Sequence, residues 1–406
     1  MTGRLPSTGK VWLPCPVCAG RGFEPCRTLP NLDPNVDAEV PEIAVSVCRG
    51  CGLICQNPCV PRARMERLYA RLEDKVTAGR SESVTEAEGL GRLEAVLRLH
   101  PPPARLLEAG CSDGAFLRLA EDAGYRVVGV EPSRASCAKA RSLHPGLDVR
   151  CGFFDDFKDE AGFDVVCHFF VLEHVYDPKG FLTRTRGLLR AGGAALFELP
   201  DVESYARLPF ANSYFTYQHL WHFSRSSIND FLGKCRFGPI RLAGRSAWSS
   251  RPYGMRVAAR PSGASRSGRT EDGREESARA RSVRLLNAYF ARREDALEAV
   301  AGRVRAWLPR VRRRPGPVVI FGAGENGRIL LAAGLAKTGR DVFFCDNGRD
   351  LQGTSVDGVP VFSPDGVPGL KPSLVIAASS DYEDDIVRQL LGLGINRSRI
   401  ARLYGC

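Results

Sequence analysis

Two cysteine pairs near the start of the chain have the spacing of metal ligands. Cys15 and Cys18 form one CxxC pair, and Cys48 and Cys51 form the other. A gap of two residues lets both thiolates of a pair face one point, and four thiolates complete the tetrahedral shell of Zn²⁺. The pattern therefore predicts a structural zinc site, because four protein ligands leave no open position on the metal. A redox dithiol is the alternative.

The other cysteines do not suggest a disulfide framework. The chain has 14 cysteines, seven of them before residue 60, and the later ones are scattered singly through apolar or turn sequence. This distribution favours reduced thiols and one metal site. Cys26, Cys55 and Cys59 are interpreted as packed or exposed thiols, with replacement of a zinc ligand as the alternative.

A glycine turn, LLEAGCSDGAF over residues 106–116, stands between a strand-like and a helical run. Gly110 lets the backbone approach a ligand closely, and Gly114 lets helix and strand pack. Glu108 puts a negative charge at the strand end, and Glu131, at the tip of the next strand, can accept two hydrogen bonds from ribose hydroxyls. The glycine spacing is not GxGxxG, and no basic pattern for a pyrophosphate is nearby. S-adenosylmethionine, a nucleoside with an ammonium and a sulfonium group, fits this balance of charge.

A second glycine turn, FGAGENGR over residues 321–328, does satisfy GxGxxG. Gly322, Gly324 and Gly327 are its glycines, and Asp346 follows where an acid that binds ribose would stand. NAD binding is therefore one interpretation. No residues suited to hydride transfer accompany the turn, so we favour a degenerate nucleotide fold. Such a fold could close over the acceptor or its nucleotide, or support packing.

Histidines supply the candidate acid–base groups. His219 and His222 lie in YFTYQHLWHFS, after the fifth predicted strand, where acceptor loops project from a parallel sheet. A neutral histidine can accept a proton at pH 7, and His219 is the candidate general base. The alternative is a histidine hydrogen-bonded within its loop. His174, in VLEHV, is interpreted as structural or as a pocket liner, and His222 as structural.

The elements that would position these residues alternate between strands and helices. This alternation predicts an α/β fold with a parallel, doubly wound sheet, closed by an antiparallel pair, IRLAGRSAW and GMRVAARP. An amphipathic helix is predicted from Val283 to Trp307, before a second α/β unit. The predicted divisions are a zinc-binding module (1–62), a helical connector (63–103), a doubly wound α/β domain (104–261), a basic linker and amphipathic helix (262–314), and a second, C-terminal α/β domain (315–406).

Composition is ordinary for a soluble globular protein of 406 residues. No apolar run approaches the length of a membrane span, and no signal peptide is recognisable, so a cytoplasmic protein is expected. A monomer or a homodimer is the expected state of assembly. The net charge is +11, and the segment from Arg260 to Arg314 holds 15 arginines against seven acids. A basic connector is typical of a solvated linker and helix. It could also help to hold an anionic substrate, and nucleic-acid binding is the less favoured alternative.

Four motifs in order resemble the class I S-adenosylmethionine-dependent methyltransferases: EAGCSDG, GVEPS, FDVVCHFFVLEHVYDP and LLRAGGAALFELPD. The cysteine segment in front, ending in CRGCGLICQNP, looks like the zinc-binding module of a subgroup that includes the C-methyltransferases of nucleotide-linked deoxysugars. The resemblance covers roughly residues 12–260, and a C-terminal Rossmann-like domain is also typical there. It implies a methyltransferase with S-adenosylmethionine and a structural Zn²⁺.

The resemblance also implies roles for single residues. Glu131 would hold the ribose, and Asp155 would meet the adenine amine, with Asp156 as its competitor. The segment from Phe170 to Leu172 would line the cofactor near its methyl group. Glu108, Gly110 and Gly114 would border the methionine end of the cofactor, and Cys111, in the same turn, is also a predicted cofactor-binding residue.

The acceptor segment departs from the pattern of the sugar C-methyltransferases. Their matching segment resembles Tyr-x-Glu-His, whereas this chain has Thr216-Tyr217-Gln218-His219, so the histidine is kept and Tyr217 is displaced by one position. The predicted catalytic residues are His219, Tyr217 and His174. We expect methyl transfer to a small hydroxylated acceptor, most plausibly a nucleotide-linked or glycoside sugar. The alternatives are C-methylation of a keto-deoxysugar, a nucleic-acid methyltransferase, and a non-enzymatic nucleotide-binding protein.

Overall fold

A computed structural model describes most of the chain and divides it into two compact units. The described residues are 9–33, 36–72, 82–208, 214–242, 249, 251, 253–263, 276–337, 339–349, 351–379 and 382–405. The first unit comprises Met1–Leu29, Glu42–Leu208 and Phe215–Leu286, and the second comprises Pro30–Pro41, Pro209–Tyr214 and Asn287–Cys406. The finer division into five segments stays a prediction.

The first unit contains most of the regular structure. Its strands are β1 (Phe23–Pro30), β2 (Glu42–Cys48), β3 (Ile54–Gln56), β4 (Arg105–Ala109), β5 (Arg126–Glu131), β6 (Val149–Cys151), β7 (Phe163–Phe169), β8 (Leu189–Pro200), β9 (Trp221–His222), β10 (Phe237–Ile240) and β11 (Gly254–Pro261). Its helices are α1 (Arg62–Leu72), α2 (Glu82–Leu99), α3 (Ala115–Asp122), α4 (Arg134–Leu143), α5 (Pro178–Leu188), α6 (Val202–Tyr205) and α7 (Arg225–Lys234), with 3₁₀ turns at Phe154–Asp156 and Leu172–His174.

The central sheet of this unit has seven strands in the order β10-β11-β8-β7-β4-β5-β6. The five strands from β8 to β6 are parallel, whereas β11 runs antiparallel to β8 and β10 runs antiparallel to β11. The inner parts of β4, β5, β7 and β8 are buried and mostly apolar, as expected for a sheet that helices cover on both faces. The strand order reverses between β4 and β7, and the crevice beyond their carboxyl ends is where open α/β sheets bind ligands.

The antiparallel pair differs from its prediction. The strand before β11 is β10, Phe237–Ile240, rather than IRLAGRSAW, and the two share only Ile240. The pairing starts where the chain leaves α7, because Phe237 fills the core and is 1% exposed there. Most of the predicted strand, residues 243–248, lies outside the described residues.

A second sheet joins the cysteine segment to the acceptor segment. Its strand order is β1-β2-β3-β9, and Cys55 of β3 pairs with Trp221 of β9. The indole N–H of Trp221 donates to the carbonyl of Val175 at 2.7 Å. The predicted zinc-binding module therefore shares its sheet with residues from the predicted methyltransferase domain.

Helix α8 (Ala278–Arg313) is longer than its prediction. It begins five residues before Val283, because Ala and Arg are good helix formers and the Arg279 Nε donates to the Glu24 carboxylate at 2.7 Å. The predicted linker before it falls mostly on residues 264–275, outside the described residues. Among the helices that the structure describes, none is both long and apolar enough to cross a membrane.

The second unit contains a six-stranded sheet and two short helices. Its elements are β12 (Val318–Phe321), α9 (Glu325–Ala332), β13 (Val342–Cys345), β14 (Ser355–Val356), β15 (Val359–Phe362), β16 (Leu374–Ala377), α10 (Glu383–Gly392) and β17 (Ile400–Arg402), with 3₁₀ turns at Leu335–Lys337, Pro364–Gly366, Pro368–Leu370 and Arg397–Arg399. The strand order is β14-β15-β13-β12-β16-β17, and all neighbouring strands are parallel except the hairpin of β14 and β15.

Candidate active site

The first glycine turn follows β4 at the crevice of the seven-stranded sheet. Gly110 has φ +80° and donates its N–H to the carbonyl of Val130 at 2.8 Å, which ties the turn to β5. A Cβ at this position would lie 2.6 Å from Cγ2 of Val171. Glycine is therefore required here both by the backbone conformation and by the lack of space.

The carboxylate of Glu131 closes the turn from the neighbouring strand. Its oxygens accept the N–H of Ser112 and the N–H of Ser133, each at 2.9 Å. Each carboxylate oxygen has a second lone pair, so both can still accept from a ligand. The predicted role on ribose hydroxyls is therefore compatible with the geometry.

Glu108 is a carboxylate buried on β4, 3% exposed. Its Oε2 has no hydrogen-bond partner among the described residues. Burial raises the pKa of this carboxyl to about 8; Arg92 opposes the rise, and the carboxylates of Glu131 and Asp113 add to it. An unsatisfied buried acceptor is costly, and a cationic ligand group would satisfy it. The site thus fits the ammonium of S-adenosylmethionine.

The remaining predicted cofactor residues lie around the same turn. Gly114, with φ +78°, caps the start of α3. Cys111 packs against β5, since a Cβ at Gly129 would lie 2.6 Å from its Sγ, and burial raises the pKa of its thiol. Asp155 is an exposed side chain in a 3₁₀ turn, 3.4 Å from Nη2 of Arg62.

Phe170, predicted to line the cofactor, has a left-handed backbone with φ +57°. Its N–H donates to the carbonyl of Glu198 at 2.6 Å, which fixes the chain where it leaves β7. The guanidinium of Arg251 lies 4.2 Å from the centre of the Phe170 ring. One ring face is thereby covered by a cation.

The structure brings two predicted catalytic histidines together. The ring centres of His174 and His219 are 4.8 Å apart, in an edge-to-face arrangement. Nδ1 of His174 is 3.1 Å from the carbonyl oxygen of Gln218, and burial lowers the pKa of His174 to about 4, so the ring is neutral at pH 7. Tyr217, the third predicted catalytic residue, is 4% exposed. Glu173 lies in the same group, with its carboxylate within 4.8 Å of both imidazoles.

Two other histidines are placed as core residues. His222 lies on β9 with Nδ1 3.1 Å from the hydroxyl of Tyr205, and burial lowers its pKa to about 3. His168 lies on β7 with Nε2 2.9 Å from the Thr185 hydroxyl, and burial lowers its pKa to about 3. Both are therefore neutral at pH 7 and held by hydroxyl groups.

The four predicted zinc ligands converge on one point. The Sγ atoms of Cys15 and Cys51 are 3.4 Å apart, those of Cys18 and Cys48 are 3.5 Å apart, and all four lie within 4.8 Å of one another. Zn–S bonds of about 2.3 Å in a tetrahedron place sulfurs about 3.8 Å apart, which is close to this spacing. The donor set therefore fits Zn²⁺.

The three nearby cysteines lie outside this group. Cys55 donates to the carbonyl of Ser46 at 3.6 Å, and burial raises the pKa of its thiol. Burial also raises the pKa of Cys59, to about 12. Cys26 donates to the carbonyl of Glu24 at 3.5 Å. Their placement agrees with packed or partly exposed thiols.

A buried charge network beside the site was not foreseen. Glu198 and Arg256 face each other across β8 and β11 at 3.2 Å with both side chains fully buried, and Arg92 reaches the other oxygen of Glu198 at 2.7 Å. The sequence did hold a signal, because Glu198 is the single charge in the apolar run ALFELP and Arg256 is the single charge in the apolar run MRVAA. Two lone opposite charges in apolar strands indicate a cross-strand pair. Glu173 is a further residue that was not predicted, and its signal is similar: it is a single charge directly after a long apolar run.

The second glycine turn, in the other unit, repeats part of the first. Gly322 has φ +116° and donates to the carbonyl of Cys345 at 2.8 Å. Asp346 accepts the N–H of Ala323 and the N–H of Gly348, each at 2.8 Å. A Cβ at Gly327 would lie 2.1 Å from the carbonyl oxygen of Gly322, so this glycine is needed for packing.

A family model matches part of the first unit. Residues 87–235 match the model of a family described as a methyltransferase domain. These residues form a class I S-adenosylmethionine-dependent methyltransferase domain. The match spans the glycine turn, both carboxylates and the two adjacent histidines, and it confirms the predicted methyltransferase fold for this stretch.

Curated relatives match a part of this domain. A protein of Mycolicibacterium smegmatis named "Probable S-adenosylmethionine-dependent methyltransferase" is 35% identical over 97 residues, which is 24% of this chain and 38% of the relative. A ubiquinone biosynthesis O-methyltransferase of Nitrobacter winogradskyi is 34% identical over 93 residues, which is 22% of this chain and 36% of the relative. The chain thus spans less than two-fifths of the length of either relative.

A solved structure and a second family model also show similarity to parts of the chain. The CcbJ methyltransferase of Streptomyces caelestis is 16% identical, with a TM-score of 0.37 over 48% of this chain and 96% of that structure. In the second unit, residues 316–401 match the model of a family described as C2185-like, N-terminal.

Proposed function

We propose that this protein transfers a methyl group from S-adenosylmethionine to a hydroxyl group of a small acceptor. The observation that carries the proposal is the buried carboxyl group of Glu108, whose Oε2 lacks a hydrogen-bond partner among the described residues and which stands two residues before Gly110. It lies at the reversal of strand order, inside the stretch that matches a methyltransferase domain. The ammonium group of S-adenosylmethionine would supply a cation beside this carboxylate.

In this proposal the cofactor lies along the carboxyl ends of β4, β5 and β7. Glu108 holds the ammonium, the backbone at Gly110 and Cys111 borders the methionine end, and Gly114 allows α3 to start close to the turn. Glu131 holds the ribose. The roles of Asp155 at the adenine and of Phe170 near the methyl group are assigned from the resemblance of the motifs.

Bound S-adenosylmethionine would supply an electrophilic methyl carbon on a sulfonium. The acceptor would attack this carbon in line with the bond to sulfur, and the neutral thioether would be the leaving group. Alignment of the acceptor contributes much of the acceleration in such a step. His219 takes the proton as the acceptor oxygen bonds to the methyl carbon and the S–CH₃ bond breaks. His174, with Nδ1 at the Gln218 carbonyl, orients that loop, and Tyr217 fills its buried side.

We propose a sugar, nucleotide-linked or in a glycoside, as the acceptor. The curated relatives named as O-methyltransferases support an oxygen acceptor, although those names concern a different small molecule. C-methylation of a keto-deoxysugar is the alternative, and the sequence Thr216-Tyr217-Gln218-His219 argues against it. Action in the cytoplasm also stays a proposal.

The acceptor chemistry is tested by the variant His219→Ala. With a sugar acceptor that the wild-type protein methylates, we expect turnover to fall by about 10²- to 10⁴-fold, as for loss of a general base. Affinity for S-adenosylhomocysteine should change less than about 2-fold, and the control His100→Ala should change neither quantity. Unchanged turnover in His219→Ala would remove this residue as the base.

We further propose that Cys15, Cys18, Cys48 and Cys51 hold a structural Zn²⁺. The convergence of four thiols supports it, and so does Gly50, where a Cβ would lie 3.1 Å from Sγ of Cys18. Metal analysis should find one zinc per chain, and Cys48→Ser should lose the zinc and much of the stability of the first unit. Zinc retained at one per chain in Cys48→Ser would contradict this assignment.

We interpret the second unit as a Rossmann-like domain. Its parallel strand order and the turn at Gly322 support the interpretation. It serves as a nucleotide-type scaffold rather than as the site of the methyl donor.

A further inference from the structure

We propose that Glu173, His174 and His219 bind a divalent first-row transition-metal ion at the acceptor end of the crevice, apart from the four-cysteine group. Each of the three residues offers one ligand atom, and these atoms lie within 4.8 Å of one another. The binding itself follows from the geometry of these side chains. Only the part that the metal plays in catalysis rests on the proposed methyl transfer.

Glu173 is the residue that most needs a partner. Its side chain is 1% exposed, and neither carboxylate oxygen has a hydrogen-bond partner within the described part of the chain. Its backbone is fixed, because the N–H of Leu220 donates to the Glu173 carbonyl at 2.8 Å. A carboxylate that is buried, fixed and unsatisfied is stabilised by a cation or by protonation.

His174 directs a lone pair toward that carboxylate. A carbonyl oxygen can only accept, so Nδ1 donates its proton to the Gln218 carbonyl at 3.1 Å. Nε2 of the neutral ring therefore carries the lone pair, and it lies 3.7 Å from Oε1 of Glu173. Two acceptors that face each other at this distance call for a positive centre between them. A ring N–H held by a backbone carbonyl is also what orients histidines that bind metals.

His219 completes the donor set from the opposite loop. Its backbone N–H donates to the carbonyl of Thr216 at 3.3 Å, and its ring centre lies 4.8 Å from that of His174. Two imidazoles and one carboxylate suit divalent first-row ions and leave coordination positions open. Bonds of about 2.1 Å place two ligands of a tetrahedral ion about 3.4 Å apart, close to the 3.7 Å between Nε2 and Oε1.

A metal here would act on the acceptor. An ion with open positions binds a hydroxyl oxygen and lowers its pKa, so that the oxygen attacks the methyl carbon more readily. In the metal-bound protein the ion would replace His219 as the group that activates the hydroxyl, because a neutral imidazole that binds a metal has no lone pair left for a proton. A proton held between Glu173 and His174 is the competing account of the same contact.

The test uses Mn²⁺ and the full-length chain after dialysis against a weak chelator that leaves four-thiolate zinc in place. Mn²⁺ prefers carboxylate and imidazole to thiolate, so its binding does not report on the cysteine group. Free Mn²⁺ is followed by electron paramagnetic resonance during titration. We expect one Mn²⁺ per chain, with affinity at least about 10-fold weaker in Glu173→Gln and unchanged in the control Glu203→Gln.

His174→Gln gives a second measurement of the same site and should also weaken Mn²⁺ binding. Titration of every variant with S-adenosylhomocysteine reports whether it is folded and separates the two proposals. No Mn²⁺ binding by wild-type protein that binds the nucleoside, or equal Mn²⁺ affinity in wild type, Glu173→Gln and His174→Gln, would overturn the metal site. Mn²⁺ binding that depends on Glu173 without any nucleoside affinity would support the metal site and contradict the proposed function.

Discussion

The two glycine turns of this protein share a backbone design. In each, a glycine with positive φ donates to a carbonyl in the last two residues of the neighbouring strand: Gly110 to Val130, and Gly322 to Cys345, both at 2.8 Å. In each, a carboxylate at the tip of that strand accepts two backbone N–H groups. One of these N–H groups lies in the turn, and the other lies two residues beyond the carboxylate.

The turns differ in the side chain two residues before the first glycine. That residue is Glu108 in the first turn and Ile320 in the second, and both are buried. The first turn therefore presents an unsatisfied acceptor to the crevice, whereas the second presents hydrocarbon. The glycine turn, together with an acidic residue about 20 positions later in the chain, determines how closely a ligand can approach the backbone. The buried acidic side chain determines which ligand is stabilised. The second turn matches GxGxxG better, but the first turn is the one suited to the methyl donor.

The largest effect should follow from closing the first turn. Gly110→Ala forces a left-handed conformation and places a methyl group against Val171, which together should lower the free energy of unfolding by about 2–4 kcal/mol. Affinity for S-adenosylhomocysteine should be lost as well. Chemical denaturation and calorimetric titration measure the two quantities.

The change in the second turn that should be tolerated is Gly324→Ala. This glycine has φ −81°, and a Cβ there would meet nothing within 4 Å. Stability should stay within about 0.5 kcal/mol, and nucleoside affinity should not change. Equal loss of affinity in both alanine variants would show that the comparison of the two turns is wrong.

A smaller effect is expected at Glu108, and it depends on pH. The pKa of this carboxyl is about 8 in the free protein, so it is protonated at pH 6, whereas a bound ammonium favours its ionised form. The complex then holds fewer protons than the free protein. Affinity for S-adenosylhomocysteine should therefore rise from pH 6 to pH 8, by at most about tenfold per unit.

Glu108→Gln should weaken binding at pH 8 by about 10- to 100-fold and flatten this dependence on pH. Asp346→Asn, at the second turn, should leave both the affinity and its pH dependence as in the wild type. A Gln variant that keeps the wild-type pH profile would locate the titrating group elsewhere.

Most of the fold could be predicted, because periodicity and turn residues act locally. The alternation from β4 to β8, with α3 to α5 between, follows from apolar runs separated by glycine and proline. What escaped prediction depends on contacts between distant segments. The pairing of Cys55 with Trp221 and the start of β10 at Phe237 are set by partners that no local pattern contains.

The site shows the same division. The two CxxC pairs and the acids Glu108 and Glu131 could be found from spacing, because each lies beside its own turn. The contact of Glu173 with His174 and His219 could not, since it joins the end of β7 to a loop more than 40 residues later. Its charge lies next to an apolar run, and only the folded chain shows that the carboxylate is buried.

Calorimetric titration of the full-length chain with S-adenosylhomocysteine and, separately, with NAD⁺ tests the central claim most directly. We predict one nucleoside bound per chain, a loss of that binding in Gly110→Ala but not in Gly324→Ala, and no heat with NAD⁺. Binding of NAD⁺ that Gly324→Ala abolishes, together with no affinity for S-adenosylhomocysteine, would contradict the account.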